Sequence, residues 1–157
     1  MKNAFAIAAF FLLVVSAIGQ EQPNVVFIIC DDLGYGDVQC LNPEYGKIKT
    51  PHVNQLASEG MIFTDAHSGS SVCTPTRYGL LTGRYSWRTK LQKGVVQGFS
   101  PCLIAEDRPT VAGFYQAQGY DTAIIGKWHL NFEYLDPQSG KPLKAKGKAL
   151  PPVGATI

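Results

Sequence analysis

The chain has 157 residues, with 14 basic and 12 acidic side chains, a formal net charge of +2 and a 45% share of hydrophobic residues. So small a charge, without a basic stripe interleaved with aromatic residues, argues against a nucleic-acid-binding protein. The four cysteines contain no Cys-x-x-Cys pair, which argues against common zinc and thioredoxin-like motifs, although two of them could pair in an oxidising compartment.

The first nineteen residues are predicted to be a signal peptide. Lys2 provides a short basic start, residues 4–18 are almost unbroken apolar sequence, and Ala17-Ile18-Gly19 is a small-x-small cleavage site. The apolar run is shorter than the roughly 20 residues of a membrane-spanning helix. We therefore expect an exported protein, periplasmic, secreted or lumenal, whose mature chain of residues 20–157 has no membrane span.

Residues 24–30 are predicted to form a strand buried on both faces of a parallel sheet, because this short run is apolar and rich in β-branched side chains. Asp31 and Asp32 follow at the carboxyl edge of that sheet, where open α/β folds bind ligands. Adjacent carboxylates resist joint ionisation unless a cation compensates them, so one interpretation is a hard divalent metal ion. The pattern alone favours the other, a solvated turn.

The next segment is predicted to contain a helix and a short strand. Thr50 as a cap and Pro51 in the first turn mark the start of a helix that closes at Gly60, with apolar spacing typical of core packing. Residues 61–64 then resemble a strand. His67 follows it, and we assign this histidine a structural hydrogen bond.

A second helix is predicted after Cys73, because Pro75 lies early in the segment and Gly83 ends it. Cys73 then lies near the helix start, where unpaired N–H groups and the helix dipole favour an anion such as sulfate or phosphate. Arg77, one turn later, would reinforce this site. A lone free cysteine is more commonly a small buried hydrophobic residue, so the spacing alone leaves both interpretations open.

The region from residue 84 to residue 108 has no clear period and is predicted to be an irregular surface connection. Its cations either contact an acidic substrate or form a solvated basic face. Residues 109–119 are predicted to be a helix and residues 122–125 a strand, together one helix-to-strand unit of a parallel sheet.

Lys127 and His129 follow this predicted strand. Two residues apart in extended backbone, they would point to the same side, where a cation and an imidazole can bind an oxyanion and transfer a proton. Lys-x-His pairs are common on protein surfaces, so the pair alone is a weak signal. The chain beyond residue 130 is rich in Pro, Gly and Lys and is predicted to be a loop-like tail.

Two segments resemble the signatures of the type I sulfatases. The first reads Cys73-Thr-Pro-Thr-Arg77 and continues to Leu-Thr-Gly83, and the second extends from Gly119 to His129 and ends in Gly-Lys-Trp-His. Both occur in the order found in that family. The resemblance implies that Cys73 is oxidised to Cα-formylglycine by a formylglycine-generating enzyme, and that the hydrated aldehyde is the nucleophile.

The resemblance also covers the metal site. The sequence Asp-Asp-Leu-Gly-Tyr-Gly-Asp, from Asp31 to Asp37, is similar to the family's metal-binding loop. It implies Ca²⁺, with Mg²⁺ as the alternative, held by Asp31, Asp32 and the modified Cys73. Asp37 is assigned only a role in holding the loop.

The implied fold is α/β, with an alkaline-phosphatase-like, mostly parallel sheet flanked by helices. Residues 20–157 would supply only the N-terminal part of this catalytic domain. The implied reaction is hydrolysis of a sulfate ester, on a polysaccharide or an aryl sulfate. In it Arg77 would hold the aldehyde hydrate, while Lys127 and His129 would bind the sulfate.

Two other functions stay open. A phosphate or phosphonate ester hydrolase of the same superfamily would use the same anion site at a helix start. A truncated, non-catalytic fragment would keep the motifs without assembling the site. A cysteine phosphatase fits less well, because its chemistry needs Cys-x₅-Arg and this chain has Cys-x₃-Arg.

Overall fold

The computed structural model describes residues 22–98 and 100–143. The predicted signal peptide, residues 1–19, and the tail from residue 144 lie outside this part. The contacts divide the chain into two units, of which the first ends at Ile48 and the second begins at Lys49. Among the described residues no helix is both long enough and apolar enough to cross a membrane.

The first unit contains two short 3₁₀ turns, Tyr35–Asp37 and Gln39–Leu41. Asp37 fixes the loop before them, as predicted, because its carboxylate accepts a hydrogen bond from the Gly34 N–H at 3.0 Å. The Asn42 side chain donates to the Gly36 carbonyl at 3.0 Å and closes the pair of turns. This loop is therefore held by its own short-range polar contacts.

The second unit contains three α-helices among the described residues: α1, Pro51–Glu59; α2, Cys73–Thr82; and α3, Val111–Ala117. A single 3₁₀ turn, Ser86–Arg88, follows α2. The three helices lie where the proline and glycine pattern predicts them, although α3 is two residues shorter at each end. Thr110 caps α3 by accepting a hydrogen bond from the Gly113 N–H at 3.1 Å.

Two details predicted for α1 are wrong. The Thr50 hydroxyl does not cap the helix; it donates instead to the Asn54 side chain at 2.9 Å. None of the residues of α1 is buried, and Leu56 is 69% exposed, so its apolar face packs into no core among the described residues. The spacing of its apolar residues places them on one face of the helix, but the spacing alone does not show that another element packs against that face.

The core of the second unit surrounds α2. Tyr78, Val96, Leu103 and Leu130 are buried together, and partly buried side chains pack against them: Leu81, Leu91, Ile104 and Trp128. Leu103 is joined to this cluster through its backbone as well, because its N–H donates to the Leu130 carbonyl at 2.9 Å. These contacts bring together three separate parts of the chain around one helix.

The predicted sheet is wrong for the described part of the chain. Residues 24–30, 61–64 and 122–125 contain no strand there, and the only β-bridge recorded is an isolated antiparallel one between Leu135 and Pro142. The runs predicted to be buried are instead exposed, as at Val26 (82%). An apolar, β-branched run is suited to a strand inside a sheet, but such a strand forms only when neighbouring strands pair with it.

Candidate active site at the start of helix α2

Cys73 is the first residue of α2 and is half-buried. The preceding Val72 is extended, with φ −127° and ψ 158°, and no side chain caps the helix start within the described residues. Thr76 anchors the approach, because its hydroxyl donates to the Ser70 carbonyl at 2.8 Å. The cysteine is thus placed at the positive end of the helix dipole, where an anion is favoured.

Thr74 connects α2 to the rest of the site. Its side chain is fully buried, its hydroxyl donates to the His129 carbonyl at 2.9 Å, and the same oxygen accepts the Val96 N–H at 3.3 Å. Thr74 is not among the site residues predicted from the sequence. The available signal was its position four residues before Tyr78, which places both on the buried face of α2.

The His129 imidazole has one engaged nitrogen and one that is buried without a partner. Its Nε2 lies 3.1 Å from the Val96 carbonyl, and a carbonyl can only accept, so Nε2 carries the proton. In the neutral ring the lone pair is then on Nδ1. Among the described residues this Nδ1 has no hydrogen-bond partner, although it is buried.

Arg77 lies one turn after Cys73 and binds the second signature segment. Its Nη1 donates to the Lys127 carbonyl. Helix α2 is therefore joined to residues 127–129 by two hydrogen bonds, one from Arg77 and one from Thr74. These contacts place the backbone of His129 against the first turn of α2, which begins at Cys73, and that of Lys127 against the second turn, which contains Arg77.

Lys127 and His129 do not lie on extended backbone as predicted. Gly126 has φ 107° and His129 has φ 53°, so the backbone is not extended here. The two-residue alternation holds only in extended backbone, so the prediction of extended backbone here is wrong, and the spacing of Lys127 and His129 no longer implies that their side chains point to the same side. Lys127 is exposed, whereas His129 is half-buried.

The left-handed turn at His129 is held on both sides. Leu130, next to it, is fully buried, and Asn131 also has a positive φ of 59°. The Asn131 side chain donates to the Ser100 carbonyl at 2.7 Å. A non-glycine residue in this conformation is uncommon, so the surrounding contacts are what keep His129 in place.

Asp31 and Asp32 lie in the first unit, exposed, in a turn. Asp32 has φ 60°, a left-handed conformation that aspartate tolerates better than most residues. Two carboxylates match the oxygen ligands preferred by Ca²⁺ and Mg²⁺, but Ca²⁺ takes about six to eight oxygen ligands. In the described part of the chain no three His, Cys, Asp or Glu side chains form a metal-binding group. The pair fits the donor chemistry and supplies part of the donor set.

Two further predictions concern His67 and the pairing of the cysteines. His67 makes the predicted polar contact, since its Nε2 lies 2.6 Å from an Asp65 carboxylate oxygen on the surface. None of the four cysteines, at positions 30, 40, 73 and 102, forms a disulfide bond within the part of the chain that the structure describes.

Residues 23–142 match the family model described as Sulfatase. An N-acetylgalactosamine-6-O-sulfatase of Bacteroides thetaiotaomicron is 42% identical over 122 residues, which cover 76% of this chain and 22% of that protein. Human arylsulfatase A is 41% identical over 122 residues, covering 75% and 24%. Human steryl-sulfatase is 38% identical over 137 residues, covering 83% and 23%.

The chain therefore spans about a quarter of the length of the curated relatives that it matches. No solved structure is significantly similar to it.

Proposed function

The chain belongs to the sulfatase family, and from that premise we propose that the protein hydrolyses a sulfate ester at Cys73 after this residue is converted to formylglycine. The observation that carries the proposal is the position of Cys73, the first residue of α2, a helix that also contains Arg77 and that is hydrogen-bonded through Thr74 to the His129 backbone. The identity shared with sulfatases over this segment supports the same assignment.

The start of α2 would bind the sulfate group. The N–H groups of Cys73 and Thr74 and the helix dipole attract an oxyanion, and they need no rearrangement when the substrate arrives. Pro75 has no N–H, and the N–H of Thr76 donates to the Val72 carbonyl at 3.4 Å. Arg77 adds a fixed positive charge one turn away, with its guanidinium held by the Lys127 carbonyl. Lys127 is exposed, and the flexible stem of a lysine can bring its ammonium to a sulfate oxygen.

His129 would exchange a proton at Nδ1. The Val96 carbonyl holds the proton on Nε2, so only Nδ1 can accept one from a group at the sulfate. Protonation would leave a half-buried imidazolium, which an anion bound nearby would stabilise. In a hydrated aldehyde at position 73, one hydroxyl oxygen would bond to sulfur while the S–O bond to the alcohol breaks and the alcohol leaves. Deprotonation of the second hydroxyl would then break the C–O bond to the sulfate, which releases sulfate and restores the aldehyde.

Asp31 and Asp32 would hold the divalent cation, Ca²⁺ or Mg²⁺. When bound, such an ion supplies a Lewis acid for an oxygen of the reacting group. The two adjacent carboxylates would in turn be relieved of their mutual repulsion. The residues present offer the right donor type and only part of the number that Ca²⁺ needs.

The decisive experiment follows the modification and the reaction separately. The protein is produced with a formylglycine-generating enzyme, and the peptide containing Cys73 is analysed by mass spectrometry. We expect the thiol to be replaced by an aldehyde, and Cys73→Ala to abolish turnover while the control Cys102→Ala retains it. An active protein with an unmodified Cys73 thiol would contradict the proposal.

Two alternatives are separated by activity measurements. The helix-start site also suits phosphate, so turnover of an aryl sulfate is compared with that of the matching aryl phosphate; preference for the phosphate would favour a phosphate or phosphonate ester hydrolase. The chain spans about a quarter of its relatives, so a non-catalytic fragment is the second alternative. Sulfatase turnover by the purified 157-residue chain would exclude it.

We also propose that the protein is exported and that its substrate is a sulfated polysaccharide or an aryl sulfate. The first nineteen residues support export through their basic start, apolar run and cleavage site. N-terminal sequencing of the protein from the producing cell tests this directly. A mature protein that begins at Gln20 is expected, and one that retains Met1 in the cytoplasm would contradict it.

A further inference from the structure

The second unit contains a cavity of about 230 Å³ on the side of α2 that carries Tyr78. Its floor includes Tyr78 and Leu103, which are 1% and 4% exposed and belong to the core. None of the proposed sulfate-binding residues of the same unit, Cys73 and Arg77 included, lines it. It is therefore a separate feature from the site at the helix start.

The charged side chains that line this cavity are all cationic: Arg84, Lys90 and Arg108. No acidic side chain lines it, although Glu106 and Asp107 lie next to Arg108 in the sequence. Three positive charges around one cavity repel each other. An anion bound in the cavity would attract all three cations and offset this repulsion. The lining thus selects for a negatively charged ligand.

Hydrogen bonds hold two of these cations without using all of their donors. The Lys90 ammonium donates to the Cys102 carbonyl at 3.0 Å, and Arg84 Nη2 donates to the Arg88 carbonyl at 2.9 Å. An ammonium has three N–H donors and a guanidinium five, so each retains donors for a ligand. Arg84 and Lys90 are thus positioned in advance, which lowers the entropic penalty of binding.

We propose that this cavity binds a tetrahedral oxoanion, a sulfate or phosphate group. Arginine and lysine donors match the oxygen atoms of such groups, and Arg84 and Arg108 can each offer two parallel N–H donors. The volume is several times that of a water molecule, so the group could enter either as a free anion or as an ester on a larger molecule. The proposal does not depend on the proposed hydrolysis at Cys73.

The first test is titration calorimetry of the full chain with sodium sulfate and with sodium phosphate, at constant ionic strength set by chloride. The Cys73→Ala variant is the background, so that chemistry at Cys73 plays no part. We expect saturable binding that weakens about tenfold in Arg108→Gln and in Lys90→Gln, because each removes a charge-assisted hydrogen bond.

The matched control is Lys93→Gln, which removes the same charge from the same connection at a residue outside the lining. Unchanged affinity in this control supports the site. Equal weakening in Lys93→Gln and Lys90→Gln would show a general charge effect and overturn the proposal, as would the absence of saturable binding in the parent. Circular dichroism of every variant verifies the fold, and the two lining variants are independent tests.

Amide NMR locates the anion and distinguishes the two helix-associated sites. Binding in the cavity should shift the amide resonances of Thr89, Lys90, Cys102 and Leu103. Shifts confined to Cys73 and its neighbours would overturn the assignment.

A sulfated disaccharide and its desulfated form then identify the source of the anion. Tighter binding of the sulfated sugar than of sulfate indicates an ester ligand, and equal binding indicates the free anion.

Discussion

A single hydroxyl group, that of Thr74, joins the proposed reacting helix to both segments that position His129. It donates to the His129 carbonyl and accepts from the Val96 N–H, while the Val96 carbonyl accepts from His129 Nε2. The three residues form a closed set of hydrogen bonds beside the core residue Tyr78. The direction of the His129 imidazole, and with it the location of its lone pair, depends on this set.

Thr74→Val should destabilise the protein by about 1–3 kcal/mol, because it leaves a buried donor and a buried acceptor without a partner while keeping the side-chain shape. Urea unfolding measures the difference, and Thr74→Ser should recover most of it. The control is Thr82→Val, whose hydroxyl bonds only to the Tyr78 carbonyl of its own helix at 2.7 Å. Equal stability of Thr74→Val and the parent would contradict this account.

At the scale of elements, the end of α2 shows how one residue type sets a boundary. Gly83 follows the helix with φ 64° and ψ 18°, and its N–H donates to the Gly79 carbonyl at 2.8 Å. A side chain added at Gly83 would meet no atom within 4 Å, so the requirement for glycine is one of backbone conformation alone.

Gly83→Ala should therefore destabilise the protein by about 1–2 kcal/mol, which is the strain of a side chain in left-handed backbone. Gly79→Ala is the matched control within the same helix. Its Cβ would meet only the Arg84 carbonyl, at 3.8 Å, and alanine favours helix, so a gain of about 0.5–1 kcal/mol is expected. Thermal unfolding of both variants measures the change in stability, which should be a loss for Gly83→Ala and a gain for Gly79→Ala. A loss of stability in both variants would contradict the explanation.

The turn from Asp136 to Gly140 provides a prediction for pH. The backbone N–H of Ser139, and after it the Ser139 hydroxyl, hold the pKa of the Asp136 carboxyl below its ordinary value of 3.8. A lowered pKa in the folded chain favours folding above the ordinary pKa, and that contribution disappears as pH falls through the folded value.

NMR titration of the Asp136 carboxyl should therefore give a midpoint below 3.8 in the parent chain, and Ser139→Ala should raise it toward that value. The alanine variant removes the hydroxyl contact at 2.8 Å and leaves the backbone N–H contact at 2.7 Å, so the shift should be partial. A midpoint unchanged by Ser139→Ala would assign the whole effect to backbone donors.

At the scale of the whole molecule, local signals predicted the helices correctly, whereas the strand patterns predicted a sheet that the described residues do not form. Pro51, Pro75 and Gly83 act within one or two turns, so their effect needs no partner from elsewhere in the chain. Val26 and Ile125 carry a strand pattern, but a strand forms only against a neighbour, and they remain exposed here. Thr74 escaped prediction because its role lies in contacts with segments 22 and 55 residues away.

Exposure of these apolar runs implies that the isolated chain associates with itself. Residues 24–30 form a β-branched, uncharged segment with side chains as exposed as Phe27 (70%) and Ile28 (76%), which is the pattern of an edge-pairing and aggregation site. In sedimentation velocity the purified chain should show a weight-average sedimentation coefficient that rises with concentration.

Ile28→Lys should reduce this rise, because a charge in the middle of the segment opposes strand-to-strand pairing. Ile48→Lys is the control, since Ile48 is comparably exposed, at 65%, and lies outside the three strand-like runs. If both substitutions act equally, net charge and not the segment governs association. A parent chain that sediments as a monomer at every concentration would show that exposed side chains in residues 24–30 are not sufficient for pairing, and that the run is compatible with a stable, isolated chain.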